Sequence, residues 1–523
     1  STQDVTITTP STDFNYGGAT EFCLGTTNPL ATITGNAGGT FSATGGLTVD
    51  ANTGEIDLST ATAGNYQVSY TPASNWQQIG QDIIGLTNQE FGHSISMDSS
   101  GNRMVIGSKI HNTNEIGSVK VYDFSNGTWN QIGQDLLGSG IGTHFGYSVS
   151  ISSDGNIIAI GAPNYNSGNG NGYVQIYQLN GSTWVQKGST INSQENGDYF
   201  GNSVSLNNTG NILSVGAFWN DLGALTKAGQ VRIFEFDNSD WSQKGPEIVG
   251  EDSEDFCGWS TDINGAGDIV VVGSFNSDKN GQSSGHTRVF QFSNNSWTQM
   301  GSDITGQNPG DWSGISVSIN NVGNRIIIGE RKADQNGQDA GQSRIFEFSN
   351  NNWIQLGNDI IGAASNDQMG WSVNMNSIGN IVAIGSPYNS ETSTQSGKVS
   401  IFSWDGFNWN IANNDIFGIQ ASDLEGWSIS LSDNGSKIAL GTSQGNSGGN
   451  LSGNVRVFGS PISTTCSQPL DITIHTAQTI DLGIDTTLIC AGTSETIDAG
   501  SSFASYLWND GSTNQTLSAT TAG

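Results

Sequence analysis

The run Phe145-Gly146-Tyr147-Ser148-Val149-Ser150-Ile151 opens the unit that decides the fold. It turns at Ser153-Asp154-Gly155-Asn156 and continues as Ile157-Ile158-Ala159-Ile160-Gly161. A polar loop leads to Gly172, the chain resumes as Tyr173-Val174-Gln175-Ile176-Tyr177, and a turn at Asn180-Gly181 precedes Trp184. Apolar residues recur in short runs bounded by turn residues, the pattern of buried and half-buried strands. The unit is repeated seven times, anchored by Trp76, Trp129, Trp184, Trp241, Trp297, Trp353 and Trp409, with spacings of 53, 55, 57, 56, 56 and 56 residues. Four short strands repeated seven times predict a seven-bladed β-propeller, because no single blade can bury both its faces and a closed ring buries them all.

Within a unit the strands are named by propeller order. Strand A is Phe-Gly-x-Ser-Val, strand B Asn-Ile-Ile-Ala-Ile-Gly, strand C Gly-x-Val-x-Ile-Phe and strand D Trp-x-Gln-x-Gly-x-Asp-Ile. The region opens at Trp76-Gln77-Gln78-Ile79-Gly80, a strand D with no A, B or C before it. It closes at Asn454-Val455-Arg456-Val457-Phe458, a strand C with no D after it. The first strand is therefore expected to complete the last blade, which removes two sheet edges and puts both ends of the ring side by side. A–B and C–D turns are short. B–C and D–A loops are longer and share the opposite face, where variable function is expected, pointing away from the flanking modules.

Composition limits what the chain can do. Lys+Arg total 16 against 47 Asp+Glu in 523 residues, a net charge of −31. That balance excludes a nucleic-acid partner and docking on anionic lipid. No apolar run approaches the ~18 residues of a membrane span. The 72 glycines suit a turn-rich all-β chain. Cys23, Cys257, Cys466 and Cys490 form no zinc-type spacing, so disulfides stay open and the composition suits an extracellular protein. The chain begins and stops in mid-pattern, as expected of a piece of something longer.

Residues 1–74 alternate and turn like a small sandwich. The words "FCLGTTNPLATITGNAGGTFSATGGLTVDANTGEIDLSTATAGNYQVSYT" resemble the immunoglobulin-like repeats of very large surface adhesins in gliding Bacteroidetes. Such repeats carry a second Cys soon after the Tyr-x-Val-x-Tyr strand. Here that ending appears only at Thr464-Thr465-Cys466, followed by Leu470-Asp471-Ile472-Thr473-Ile474. The resemblance implies that the propeller, 75–461, is inserted in a split sandwich (1–74 plus 462–475), with Cys23 and Cys466 as its disulfide. Two unrelated flanking pieces with free thiols are the alternative. Residues 476–523 resemble a further, truncated Ig-like or PKD-like module in which Cys490 has lost its partner. Phe-Gly-x-Ser-Val with Gly161-Ala162-Pro163 and Gly385-Ser386-Pro387 resembles the FG-GAP repeats of integrin α heads, most closely the bacterial kind with Trp-x-Gln-x-Gly between repeats. The integrin-type calcium loop between strands A and B is absent.

Together these resemblances imply a non-enzymatic adhesive head on the bacterial cell surface. It would belong to a SprB-like gliding adhesin exported by the type IX system, and would bind a surface glycan or a protein ligand beside further Ig-like modules of the same chain. A structural spacer and a polysaccharide-active enzyme are the alternatives. Tyr165, Trp219, Phe275 and Tyr388 in the B–C loops are the candidate ligand-binding residues, since flat rings stack on sugars. The residues after the strand A glycine (His93, Tyr147, Asn202, Trp259, Ile315, Trp371 and Trp427) either stack on ligand or pack between blades. Asn276, Asp278 and Asn280, and Asp334, Asn336 and Asp339, alternate like oxygen ligands, and Ca²⁺ is the cation such loops would take. Both could equally be polar turns. Acidic residues before strand A (Glu90, Asp198, Asp255, Asp311, Asp367, Glu425) make either a negative rim or solvated loops. No catalytic motif occurs, and the five histidines share no pattern.

Overall fold

A computed structural model describes residues 14–16, 19–24, 26–33, 40–71, 76–110, 115–164, 171–237, 239–412, 414–460, 470–475, 495–498 and 516–519. The chain divides into one unit of residues 1–72 and 465–523 and a second of residues 73–464. Every described element is a strand, and among the described residues no helix is long and apolar enough to cross a membrane.

The larger unit contains seven five-stranded antiparallel sheets, a β-propeller-like architecture. Their strands A are Phe91–Met97, Ser148–Ile151, Ser203–Leu206, Ser260–Ile263, Ser316–Ile319, Ser372–Met375 and Ser428–Leu431. These begin blades 1 to 7, each strand A lies against the next, and that of blade 7 returns to blade 1. Blade 7 is completed from the start of the chain: Gln77–Gln78 and Ile83–Ile84 both pair with Asn454–Gly459. The expected single strand D is two short strands in every blade, as in Thr128–Gln131 and Leu136–Leu137, both paired to strand C. Gly133 between them has φ 76°, a conformation that L side chains resist, and it breaks the strand.

Each recurring side chain has a task between blades. The anchor tryptophans donate Nε1–H to a carbonyl of the preceding blade, from 2.8 Å (Trp297 to Lys244) to 3.3 Å (Trp76 to Ala412). The Ser of Phe-Gly-x-Ser-Val donates to the strand A glycine carbonyl of the following blade, from 2.7 Å (Ser428 to Gly92) to 2.9 Å (Ser203 to Gly258). Two residues further along each strand A, Ser96, Ser150, Ser205, Asp262, Ser318, Asn374 and Ser430 each accept a backbone N–H from the next blade. These belts pass through all seven blades and supply partners for the backbone N–H groups they reach. The glycine ending strand B must stay bare: a Cβ on Gly161 would lie 2.1 Å from the Gly201 carbonyl oxygen of blade 3.

In the smaller unit Leu470–His475, which follows the ring in sequence, enters a sheet made of strands that precede it. It pairs in parallel with Glu21–Cys23 and antiparallel with Gly64–Thr71, which in turn pairs with Thr40–Ala43. Ile472 and Ile474 share a core with Tyr16, Phe41, Leu47, Ile56, Leu58 and Val68. Cys23 is a free, exposed thiol, and the register sets it beside His475, the end of that strand farther from residue 466. Cys466 and Cys490 lie outside the described residues.

Candidate functional site: an aromatic collar on the long-loop face

The B–C and D–A loops meet at the start of the strands A. The residue two before each strand A glycine has a left-handed backbone in every blade: Glu90, His144, Tyr199, Phe256, Trp312, Gln368 and Leu424, with φ between 50° and 58°. Positive φ costs a bulky side chain free energy, and such strain gathers at functional sites. A backbone bond from the B–C loop holds it, as where Trp312 N–H donates to Ser283 O at 3.2 Å and Phe256 N–H to Lys227 O at 3.3 Å. Here the loops turn aromatic rings inward to one another.

The result is a nearly continuous collar. Trp219 meets Tyr199 (4.9 Å between centroids), Tyr199 meets Phe218 (5.3 Å), and Phe218 meets Trp259 (4.7 Å). Phe275 then bridges Trp259 (4.9 Å) and Trp312 (5.1 Å). The Arg331 guanidinium lies over both Trp312 (4.8 Å) and Trp371 (4.0 Å) and carries the contact into blade 6. From there Trp371 meets Trp427 (4.5 Å), Trp427 meets His93 (5.9 Å), and His93 meets Tyr147 (4.8 Å). Lys227 sits over Trp219 at 4.6 Å. Two cavities open on this face. One of about 320 Å³ is lined by Lys109, His144, Tyr147 and Trp259. The other, about 880 Å³, lies between loops 363–368 and 388–395, and Tyr388 joins it to the collar through Trp371 (5.5 Å).

The candidate residues divide accordingly. Trp219 and Tyr388 are half-buried in the collar. Phe275, expected exposed, is only 7% accessible, because Phe256, Trp259 and Trp312 surround it. Tyr165 lies outside the described residues. Of the residues after the strand A glycine, Tyr147, Trp259, Trp371 and Trp427 stay half-exposed, while His93, Asn202 and Ile315 are buried. The alternation of Trp, Tyr and His at that position was the visible sign of the collar. The left-handed ring and Arg331 carried no pattern that sequence reading could recognise.

The acidic residues before strand A form neither a rim nor solvated loops. Asp198, Asp255, Asp311, Asp367 and Glu425 are at most 3% exposed, and Glu90 is 9%. The four aspartates staple the D–A loops: Asp255 accepts the N–H groups of Glu251 and Asp252, both at 2.9 Å, Asp311 that of Asn308 at 2.8 Å, Asp367 that of Ala364 at 3.1 Å and Asp198 the Ser193 hydroxyl at 2.6 Å, whereas Glu90 pairs with Lys109 and Glu425 with Arg456. The anticipated calcium loops do similar work. Asn280 donates its amide to Gly306 O (2.9 Å) and Gln307 O (3.0 Å), and Asn336 donates to Gly362 O (3.0 Å) and Ala363 O (2.8 Å). Asp278 and Asp334 accept backbone N–H groups, Asn276 accepts the Ser283 hydroxyl, and Asp339 pairs with Lys332 at 2.6 Å. Asn280 and Asn336 are thus turned to the adjacent D–A loops, while Asn276, Asp278, Asp334 and Asp339 brace their own loops.

One group with ligand spacing does occur among the described residues: Glu251, His286 and Asp303, within 4.8 Å of one another. Lys279 already contacts Glu251 (2.6 Å) and Asp303 (4.0 Å), and Arg288 pairs with Glu251 (3.1 Å). Two cations offset the two carboxylates, so a divalent ion gains little there and the group is an ion-pair network. His286 is fully buried, and both ring nitrogens lack a hydrogen-bond partner. Burial first, then the Arg288 charge, pushes its pKa down to about 4, although Asp255, Asp303 and Glu251 oppose the shift. The folded chain therefore excludes a proton that the unfolded chain takes up. The stability this contributes is present above the unfolded pKa, near 6.5, and is lost as pH falls towards 4. Exchange of His286 for Gln, the residue at the same place in blades 3 and 5 (Gln230, Gln342), should remove about 3 kcal/mol of acid destabilisation over that range. Urea unfolding at the two pH limits measures it, and an unchanged difference would refute the account.

No family model and no curated protein matches the chain. Among solved structures it is similar to a "putative 6-phosphogluconolactonase" from Bacteroides uniformis at 10% identity and TM-score 0.44, over 73% of this chain and 97% of that one. It is also similar to U3-55K at 12% identity and TM-score 0.44, over 74% of this chain and 98% of that one. Both likenesses are distant, and no activity is carried over from them.

Proposed function

We propose that this chain is a non-enzymatic ligand-binding head of a bacterial surface adhesin, a seven-bladed FG-GAP-type propeller that takes a glycan on its long-loop face. The aromatic collar carries this reading. Half-exposed rings from most of the blades gather at one mouth, and flat apolar faces are what sugar rings stack on. The adjoining groove adds amides and hydroxyls to an aromatic wall: Asn366, Gln368, Asn389, Ser390 and Thr394 beside Tyr388. Such a mixture suits a polyhydroxylated ligand better than an apolar one. In the smaller unit the Tyr66 hydroxyl donates to Thr62 O at 2.8 Å, four residues upstream, which supports an Ig-like module there. An extracellular location on a stalk of such modules follows from that reading.

The test is a glycan array probed with the full chain, followed by calorimetry on the strongest hit. Substitution of Tyr388 by Ala, and separately of Trp259 by Ala, should weaken binding about 30-fold, the ~2 kcal/mol of an aromatic hot spot. Binding that survives both changes would place the site elsewhere. Cleavage of the saccharide would replace the reading with an enzymatic one.

A further inference from the structure

Arg331 stands apart from the other cations near the mouth. Lys109 pairs with Glu90 at 3.0 Å, Lys227 with Glu254 at 3.6 Å and Lys332 with Asp339 at 2.6 Å. Among the described residues Arg331 has no carboxylate within ion-pair distance, and its buried Nε–H has no hydrogen-bond partner. The nearest acidic influence, Asp339, is already held by Lys332. Burial pushes the guanidinium down to about 10, with Tyr388, Asp339 and Tyr147 opposing, so it remains a cation at neutral pH. A desolvated, unpaired cation costs free energy that two tryptophan faces offset only in part. Arg344 and Arg456 are more deeply buried, and each has a glutamate. Of the seven arginines, Arg232 also has no carboxylate within ion-pair distance, but its Nε–H donates to Gln243 Oε1 at 3.0 Å; among the described residues Arg331, at the junction of collar and groove, has neither kind of partner.

We infer that the mouth takes a saccharide bearing a single anionic substituent, a carboxylate or a sulfate, with the anion on Arg331 and the sugar against Trp371 and Tyr388. This deepens the glycan reading above and rests on it. A guanidinium matches the planar fork of a carboxylate or two oxygens of a sulfate, and charge-assisted bonds are the strong ones. The count of one anion follows from the whole molecule. A net charge of −31 repels a long polyanion, while one buried contact inside the collar is little affected by that field.

The experiment titrates the full chain with lactose, lactose carrying one sialic acid, lactose carrying one sulfate, and a polyuronate. An anionic lactose should bind at least about tenfold tighter than lactose itself, and R331Q should remove that margin, a ten- to hundredfold effect for hydrogen bonds to a charged group. R331K, which keeps the charge but not the fork, should keep part of it. If R331Q fails to fold, the ratio between anionic and neutral lactose in R331K decides in its place. The sialylated and sulfated arms separate the two anions, and preference for either supports the inference. Equal binding of lactose and its anionic forms overturns the inference while the glycan reading stands. Binding of the polyuronate above all others overturns the single-anion claim. Failure of every saccharide to bind removes both.

Discussion

Deletion of residues 73–85 is expected to open the ring and to cost it about 3–6 kcal/mol, the burial free energy of two large apolar side chains. This segment supplies Trp76, 8% exposed, and Ile83, 5% exposed, to the cores on either side of blade 7. It also makes the outer backbone bonds of that blade, with Ile79 N–H donating to Val457 O at 2.8 Å and Gly85 N–H to Gly453 O at 3.1 Å. Without it, Asn454–Gly459 becomes a bare edge, and bare edges invite pairing with another chain. Calorimetry should show a lowered and broadened transition, and size exclusion a shift to higher mass. A deletion variant that melts like the parent as a monomer would mean that the central belts alone close the ring.

The second large effect concerns Glu330. Its side chain is fully buried, and its carboxylate accepts the Ser313 hydroxyl at 2.7 Å and Arg344 Nε–H at 2.8 Å, with Gln342 on the other oxygen. Arg344 continues to Thr305 O of the preceding blade at 2.7 Å. Glu330→Ala leaves a buried guanidinium without its anion and should cost about 3–5 kcal/mol. Replacing the pair together, Glu330→Leu with Arg344→Met, should recover most of that, because the desolvation penalty disappears with both charges. Denaturant unfolding of the single and double variants gives the comparison. A double variant as unstable as Glu330→Ala would show that the bonds lost from Ser313, Gln342 and Thr305 cost as much as the stranded charge.

The two variants probe different levels of the same design. Ring closure was legible because the strand order is written along the chain: a lone strand D at Trp76 and a lone strand C at Asn454. The roles of the repeated Trp and Ser were legible only as repetition. Which carbonyl each one meets depends on a neighbouring blade some 53 residues away, as for Ser148 and Gly201. The acidic residues before strand A misled for a related reason. A carboxylate in a polar loop looks the same in sequence whether it faces water or folds back onto its own backbone N–H groups. Asp255 and Asp311 fold back, since a buried turn must satisfy those donors.

The candidate site shows the same division. That aromatic residues recur after the strand A glycine is a sequence fact, and it marks the face. That Phe275 is enclosed while Trp259 stays half-exposed is decided by what the adjacent blades place around them. Arg331 is the clearest case, because its two tryptophans come from different blades and its lack of a partner is a property of the assembled mouth. Sequence by itself determined the period, the strand content, the offset that closes the ring and the face on which loops vary, since alternation and turn residues act locally. Only the tertiary structure decided which side chains are buried, which charges are paired and where rings touch, since those depend on contacts between blades that no local pattern encodes.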